Sequence, residues 1–378
     1  MTHLPHSHID PDGLQEFSVV FTDRSLNHMS ARFQKAMREI SDGLREVYGA
    51  VAVAVVPGGG TYAMESVARQ FGRGEKVLVL RNGWFSFRWS QIFEAGGFAA
   101  AVEVVMARQT GNDARAPYAP PPVEEVVARI RETRPAAVFA PHVETSSGII
   151  LPDEYIRAMA DAAHEVGALM VLDCIASGCV WVDMASSGVD VLISAPQKGW
   201  SASPSAGLVM LSERAAARLD GTTSDSFALD LKKWRAIMAA YEGGGHAYHA
   251  TMPTDALIGF RDAMAETREM GFEAAREAQW ELGLGVRAML AARGVRSVAA
   301  EGFGAPGVVV SYTEDPAVQN GARFREQGLQ IAAGVPLQVG EGEAFRTFRL
   351  GLFGLDKLRD VPGTMARLER ALEAVGRI

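Results

Sequence analysis

Cysteine is nearly missing from this sequence: Cys174 and Cys179 are the only two in 378 residues. A disulfide framework is thereby excluded, and a reducing compartment, by default the cytoplasm, is the simpler setting. Positive charge is also in short supply. The formal net charge is −8 and no basic cluster stands out, so neither a nucleic-acid nor an anionic-membrane partner is expected. No run of about 18 apolar residues occurs, which argues against a transmembrane helix. Residues 1–8 lack the apolar stretch of a signal peptide. Their histidines, His3, His6 and His8, read either as a metal site or as a solvated chain end. The chain end is preferred, and no metal is expected.

What is present fits a soluble globular protein. The hydrophobic fraction is 48%, enough for a large core, and the length exceeds what one core serves, so two domains are expected. The divisions fall at 1–25 for an N-terminal segment, 26–255 for a large domain, and 256–378 for a connecting helix and a small domain. Short apolar runs at 51–56, 76–81, 102–106, 136–140, 168–173, 189–194 and 206–211 read as strands. Helical patterns begin at Thr61 and Trp84 and cover 123–133 and 153–166. Strands apolar on both faces, separated by helices, indicate an α/β fold with a mainly parallel sheet covered on both sides. A long helical pattern follows over 254–293. Strands at 308–312 and 345–350 and helices at 316–327 and 362–375 then suggest a smaller α+β domain. Residues 116–122, with four prolines, read as a surface loop.

Open α/β sheets bind ligands at the C-terminal ends of their strands, so the polar residues there are the candidates. Gly58-Gly59-Gly60-Thr61 joins a strand to a helix, which suits a phosphate or a plain tight turn. Asp173 ends an apolar strand. Its carboxylate needs a cationic partner, which a protonated pyridine nitrogen or a structural ion pair can supply. Lys198, in Ser194-Ala195-Pro196-Gln197-Lys198-Gly199-Trp200, has small and apolar neighbours. Desolvation there lowers a lysine pKa and makes the amine nucleophilic, as a Schiff base requires; a solvated lysine is the other reading. Residues 241–251 carry three glycines, then His246, Tyr248, His249 and Thr251, an anion site or a flexible connection. Arg349 lies on a strand where alternation places it with Phe345 and Thr347, and it calls for a carboxylate, a phosphate or an internal ion pair. Cys174 and Cys179 read as small packed residues.

The order of these motifs resembles the class V aminotransferases over residues 28–355. It runs from the glycine loop through Asn82-Gly83-x-aromatic and His142-x-Glu144-Thr145-Ser146-Ser147-Gly148 to Asp173 and Ser194-x-x-Gln197-Lys198. Tyr248-His249-x-Thr251 and Arg349-x-Gly351 complete it. The nearest branch is that of the serine–pyruvate and alanine–glyoxylate aminotransferases. The resemblance implies a fold-type I enzyme that uses pyridoxal 5'-phosphate, with a seven-stranded-type sheet, working as a homodimer with sites at the subunit interface. It implies that Lys198 carries the cofactor covalently and that Asp173 holds the pyridinium N–H. It implies that Phe85, rather than Trp84, stacks on the ring and that Thr145 lies near the phenolic oxygen. Gly60, Thr61 and Gln197 match phosphate ligands; Tyr248 and Thr251 match ligands given by the partner subunit. Arg349 matches the arginine that grips the substrate carboxylate, with Arg346 as rival.

The sequence departs from the family at 17–24, where a Gly-Pro-Gly-Pro-type segment is replaced by Phe17-Ser18-Val19-Val20-Phe21-Thr22-Asp23-Arg24. Thr61 also stands where some relatives carry His. The expected reaction is ping-pong transamination between a small amino acid and pyruvate or glyoxylate. Arg24 and Arg88 are the remaining cations for a distal acid group. A lyase, a desulfurase or an aminophosphonate transaminase on the same fold is the alternative. A desulfurase needs a nucleophilic cysteine late in the chain, and none follows Cys179.

Overall fold

The computed structural model describes residues 6–11, 13–376 and 378; His3 of the N-terminal histidine group lies outside them. The seven apolar runs form one sheet. Its spatial order is Ala52–Pro57, Ala206–Leu211, Val191–Ser194, Leu169–Asp173, Ala137–Pro141, Lys76–Arg81, Ala101–Met106. The last five strands are mutually parallel. Ala206–Leu211 runs antiparallel to both of its neighbours, so Ala52–Pro57 again points with the other five. Six strands therefore end on one edge. The loops after Pro57, Arg81, Pro141, Asp173 and Ser194 meet there.

Helices cover the sheet. The helix Ala31–Tyr48, unanticipated from the sequence, is capped by Ser30, whose side chain accepts from the Phe33 N–H. Its buried Phe33, Met37, Ile40, Leu44 and Tyr48 share one helical face. The helical pattern over 254–293 is two helices, Thr254–Met270 and Phe272–Ala292. They break at Gly271, whose φ of +90° is a conformation that side-chain-bearing residues avoid. The expected helix at 316–327 is likewise two short pieces, Pro316–Gln319 and Ala322–Glu326.

The C-terminal part carries its own antiparallel sheet, with Thr347–Gly351 between Val308–Tyr312 and Ala332–Ala333. The strand begins at Thr347 rather than Phe345, so Thr347 alone of the two shares the strand alternation of Arg349. The proline-rich stretch is not a surface loop. Tyr118–Ala119 pairs with Arg108–Gln109, and Tyr118 is buried, its N–H donating to the Val298 carbonyl at 2.7 Å. Prolines flank these two residues, so the missing donors fall where no ladder needs them.

Candidate active site

A cavity of about 390 Å3 opens where the C-terminal edge of the large sheet faces the small one. It brings together eight sequence-predicted residues: Gly60, Thr61, Phe85, Thr145, Asp173, Gln197, Lys198 and Arg349. They come from six separate segments; parallel strands deliver five of them to one edge, and the small sheet brings Arg349 to face them.

Lys198 follows the strand Val191–Ser194 and is half-buried. Among the described residues its amine has no hydrogen-bond or ion-pair partner; its nearest ring is Phe353, with Nζ 5.5 Å from the centroid. Burial pushes its pKa below the ordinary lysine value, and the Arg349 guanidinium adds to this. A lysine so placed is a better nucleophile at neutral pH than a solvated one.

Asp173 closes the strand Leu169–Asp173 and is buried. Its Oδ1 accepts one hydrogen bond, from the Ile175 N–H at 2.9 Å. Among the described residues no cation pairs with it. Burial raises its pKa to about 7; Glu144 acts in the same direction, and the Ile175 N–H and Arg88 oppose them. Gln197 has a buried Oε1 with no partner, and the helix Gly60–Gly72 starts on Gly59 with no side-chain cap. Its first N–H groups point outward without intrahelical acceptors. The set lacks what pyridoxal phosphate has: a pyridinium N–H for Asp173, a carbonyl for Lys198, and a phosphate for Gly60 and Thr61. These residues fit that group.

Phe85 sits in the first turn of the helix Trp84–Gly96, lining the cavity, whereas Trp84 does not. This turn is fixed by Glu144, a fully buried carboxylate. Glu144 accepts from the Phe85 N–H (3.1 Å), the Ser86 N–H (2.8 Å) and the Ser86 hydroxyl (2.7 Å). It also accepts from the Ser146 N–H (3.0 Å) and hydroxyl (2.7 Å). Gly83 permits this contact: a Cβ there would lie 2.1 Å from Ser146 Oγ and 2.8 Å from Glu144 Cγ.

Arg349 reaches the cavity from the small sheet, its Nε donating to the Ala333 carbonyl at 2.8 Å. Its Cζ lies 5.5 Å from the Phe85 ring centroid. Arg346 donates to the Glu314 carbonyl at 2.8 Å, away from the cavity; Arg24 is exposed elsewhere. Tyr248 and Thr251 do not reach the cavity. Their hydroxyls bond to each other at 3.0 Å, and Tyr248 is 51% exposed. Cys174 and Cys179 are buried with their pKa values raised by burial, the latter to about 12; neither lines the cavity.

Sequence reasoning missed Phe353, Ile175 and Met64 in the cavity wall. Phe353 sits two residues past the small sheet's strand, and no local pattern marks it. Glu144 stood inside a recognised motif with Ser146, but its three donors from Phe85 and Ser86 come from positions that only the fold brings near. Among the described residues, no group of three or more His, Cys, Asp and Glu gathers as a metal site.

A mainly parallel sheet with a desolvated lysine at its C-terminal edge, beside an aspartate that no cation pairs with among the described residues, fits a fold-type I, pyridoxal-phosphate-dependent enzyme. The chain belongs to the class-V aminotransferase family, whose model matches residues 14–301. It is similar to the 2-aminoethylphosphonate–pyruvate transaminase of Burkholderia mallei, 29% identical over 372 residues, covering 93% of this chain and 92% of that one. A protein named as the small subunit of a soluble hydrogenase, from Synechococcus, is 27% identical over 354 residues, covering 93% and 88%. Among solved structures, the alanine–glyoxylate aminotransferase of a Nostoc species superposes with a TM-score of 0.78. It is 25% identical and covers 93% of this chain and 89% of that one.

Proposed function

We propose that the enzyme moves an amino group from a small amino acid of the alanine, serine or glycine type to pyruvate or glyoxylate by a ping-pong mechanism. The observation that carries this reading is the partnerless Lys198 amine sharing one small cavity with Asp173 and Arg349. Bound pyridoxal phosphate supplies an electron sink for negative charge at the substrate α-carbon. Asp173 holds the ring nitrogen protonated, its buried carboxylate gaining the cation it lacks. With the cofactor bound, Phe85 would cover a ring face, Thr145 would be available to the ring's oxygen, and Gly60, Thr61 and Gln197 would hold the phosphate. Arg349 orients the α-carboxylate that donors and acceptors share. Lys198 Nζ takes the α-proton from the donor and, in the second half-reaction, returns one to the acceptor's α-carbon. Apolar Met64, Ile175 and Phe353 exclude water from that transfer.

The partner contribution of Tyr248 and Thr251 belongs to this proposal. The enzyme is read as a homodimer in the cytoplasm. Leu14, Phe17, Val19 and Phe227 are 92%, 90%, 102% and 77% exposed, which is apolar surface that a second subunit would cover. No described helix is long and apolar enough to cross a membrane. A desulfurase is disfavoured because both cysteines are buried outside the cavity.

The test is borohydride reduction of the purified protein followed by peptide mapping, with a donor–acceptor screen on unreduced enzyme. The cofactor should be fixed to Lys198, and Lys198→Ala should remain folded while transamination disappears. Finding the label on Lys232 or Lys233 would sink the assignment. A screen in which only 2-aminoethylphosphonate reacts would replace the small amino acid as donor.

A further inference from the structure

Arg88 is the cationic residue in the cavity wall that the proposed mechanism leaves without a task. It lies one turn after Phe85 on the helix Trp84–Gly96, so the two share a face. Its Cζ sits 5.2 Å from the Phe85 ring centroid, and its Nη1 donates to Thr61 Oγ1 at 2.8 Å. Among the described residues it makes no ion pair with a carboxylate.

Two guanidiniums thus flank one aromatic ring, Arg88 at 5.2 Å and Arg349 at 5.5 Å. Their hydrogen bonds differ. Arg349 is bonded to the Ala333 carbonyl, and its charge bears on Lys198. Arg88 is bonded to Thr61 and is the cation whose charge bears on Asp173. The Thr61 end is where the proposed function puts the cofactor phosphate. A phosphate monoester carries about −1.5 to −2 charges at pH 7. The residues read as its ligands within one chain, Gly60, Thr61 and Gln197, are all neutral, and the helix N-terminus contributes only about half a charge. Tyr248 and Thr251, proposed to come from the partner, are neutral as well. Lys198 is committed to the cofactor's carbonyl and Arg349 to the substrate.

We infer that Arg88 is a binding residue for the cofactor phosphate: held by Thr61 Oγ1 and by the face of Phe85, its guanidinium supplies the full positive charge that the phosphate cradle otherwise lacks. The inference rests on the placement of the phosphate at Gly60 and Thr61. An arginine presents two parallel donors to phosphate oxygens, and stacking on Phe85 pre-orders it for that contact.

Comparing pyridoxal phosphate with pyridoxal tests this without measuring turnover. The cofactor is stripped from the full-length protein, and each compound is titrated back by absorbance into wild type, Arg88→Met and Arg88→Lys. Wild type should prefer the phosphorylated form strongly. Arg88→Met should lose about ten- to a hundredfold in affinity for pyridoxal phosphate, as expected for a charge-assisted hydrogen bond, and stay within about twofold of wild type for pyridoxal. Arg88→Lys, which keeps a point charge, should recover part of the loss. Equal losses for both compounds would make Arg88 a prop for Phe85 and overturn the inference. So would unchanged affinity for pyridoxal phosphate, or an Arg88→Lys protein indistinguishable from Arg88→Met. A wild type that binds both compounds equally would place the fault further back, in the phosphate site itself, and remove the role of Arg88 with it.

Discussion

Asp173 shows how a single residue can be arranged for a ligand at a cost to the chain without it. An ordinary aspartate ionises near pH 4, whereas burial holds Asp173 protonated up to about 7. Between these values the folded cofactor-free chain keeps a proton that the unfolded chain has lost, so stability falls as pH rises. Above about 7 both states are ionised and the decline ends. Asp173→Asn lacks this dependence. The cofactor-free variant should therefore gain in melting temperature relative to cofactor-free wild type between pH 5 and pH 8. Parallel curves over that window would mean the carboxylate is already compensated in the empty fold. The same variant should keep its cofactor and lose most turnover, since a neutral amide cannot hold the ring nitrogen protonated. Arg349 offers a separate residue-level test. Arg349→Ala should weaken donor and acceptor alike by about ten- to a hundredfold with cofactor affinity intact, and Arg349→Lys should rescue little because an ammonium lacks the fork. Arg346→Ala should behave as wild type, its guanidinium being bound to the Glu314 carbonyl away from the cavity; the reverse result would move the carboxylate clamp to Arg346.

Among the elements, the helix Trp84–Gly96 matters most for the site, because its first turn aims Phe85 and Arg88. Glu144 holds that turn through three donors from Phe85 and Ser86, and two more from Ser146 fix its own carboxylate. Glu144→Gln replaces one acceptor oxygen with an NH2 group facing donors, which leaves buried N–H groups unsatisfied. Cofactor affinity and the visible circular dichroism of the bound cofactor should both fall, because the ring's cover tilts with the turn. Loss of melting temperature with unchanged dichroism would reduce Glu144 to a stability role. The elements also show what was legible in advance. Six of the seven sheet strands were readable because burial on both faces makes each a mainly apolar run, the edge strand Ala101–Met106 being largely exposed; most of the eight cavity residues were readable because they lie at or just past the strand ends of the large sheet. The helix Ala31–Tyr48 escaped notice although Ser30 and Gly49 mark its ends, because charged residues interleave its buried face. Tyr118–Ala119 was hidden by its flanking prolines, and the break at Gly271 by helical periodicity on both sides. Glu144 and Phe353 could not be assigned roles, since their partners are set by tertiary contacts and not by spacing.

At the scale of the whole molecule, the position of Tyr248 and Thr251 bears on the proposal that a second chain completes the site. They line no part of the cavity that holds the other eight predicted residues, yet they sit on a half-exposed segment beside His28 and His246. Their hydroxyls bond to each other at 3.0 Å, so one accepts from the other and one O–H stays available for a further acceptor. If a second subunit brings its Gly60 loop to them, a site takes Lys198 from one chain and Tyr248 and Thr251 from the other. The consequence is measurable with two inactive proteins. Lys198→Ala homodimers lack the lysine in both sites. Tyr248→Phe, Thr251→Ala homodimers lack the phosphate hydroxyls in both and should bind cofactor more weakly. After subunit exchange, a mixed dimer carries both defects in one site and neither in the other. About half of the mixed population's sites are then intact, so an equimolar mixture that exchanges freely should approach about a quarter of wild-type activity per site. Activity no higher than the average of the two parent proteins, after exchange has been verified by mass, would mean that each chain builds its site alone.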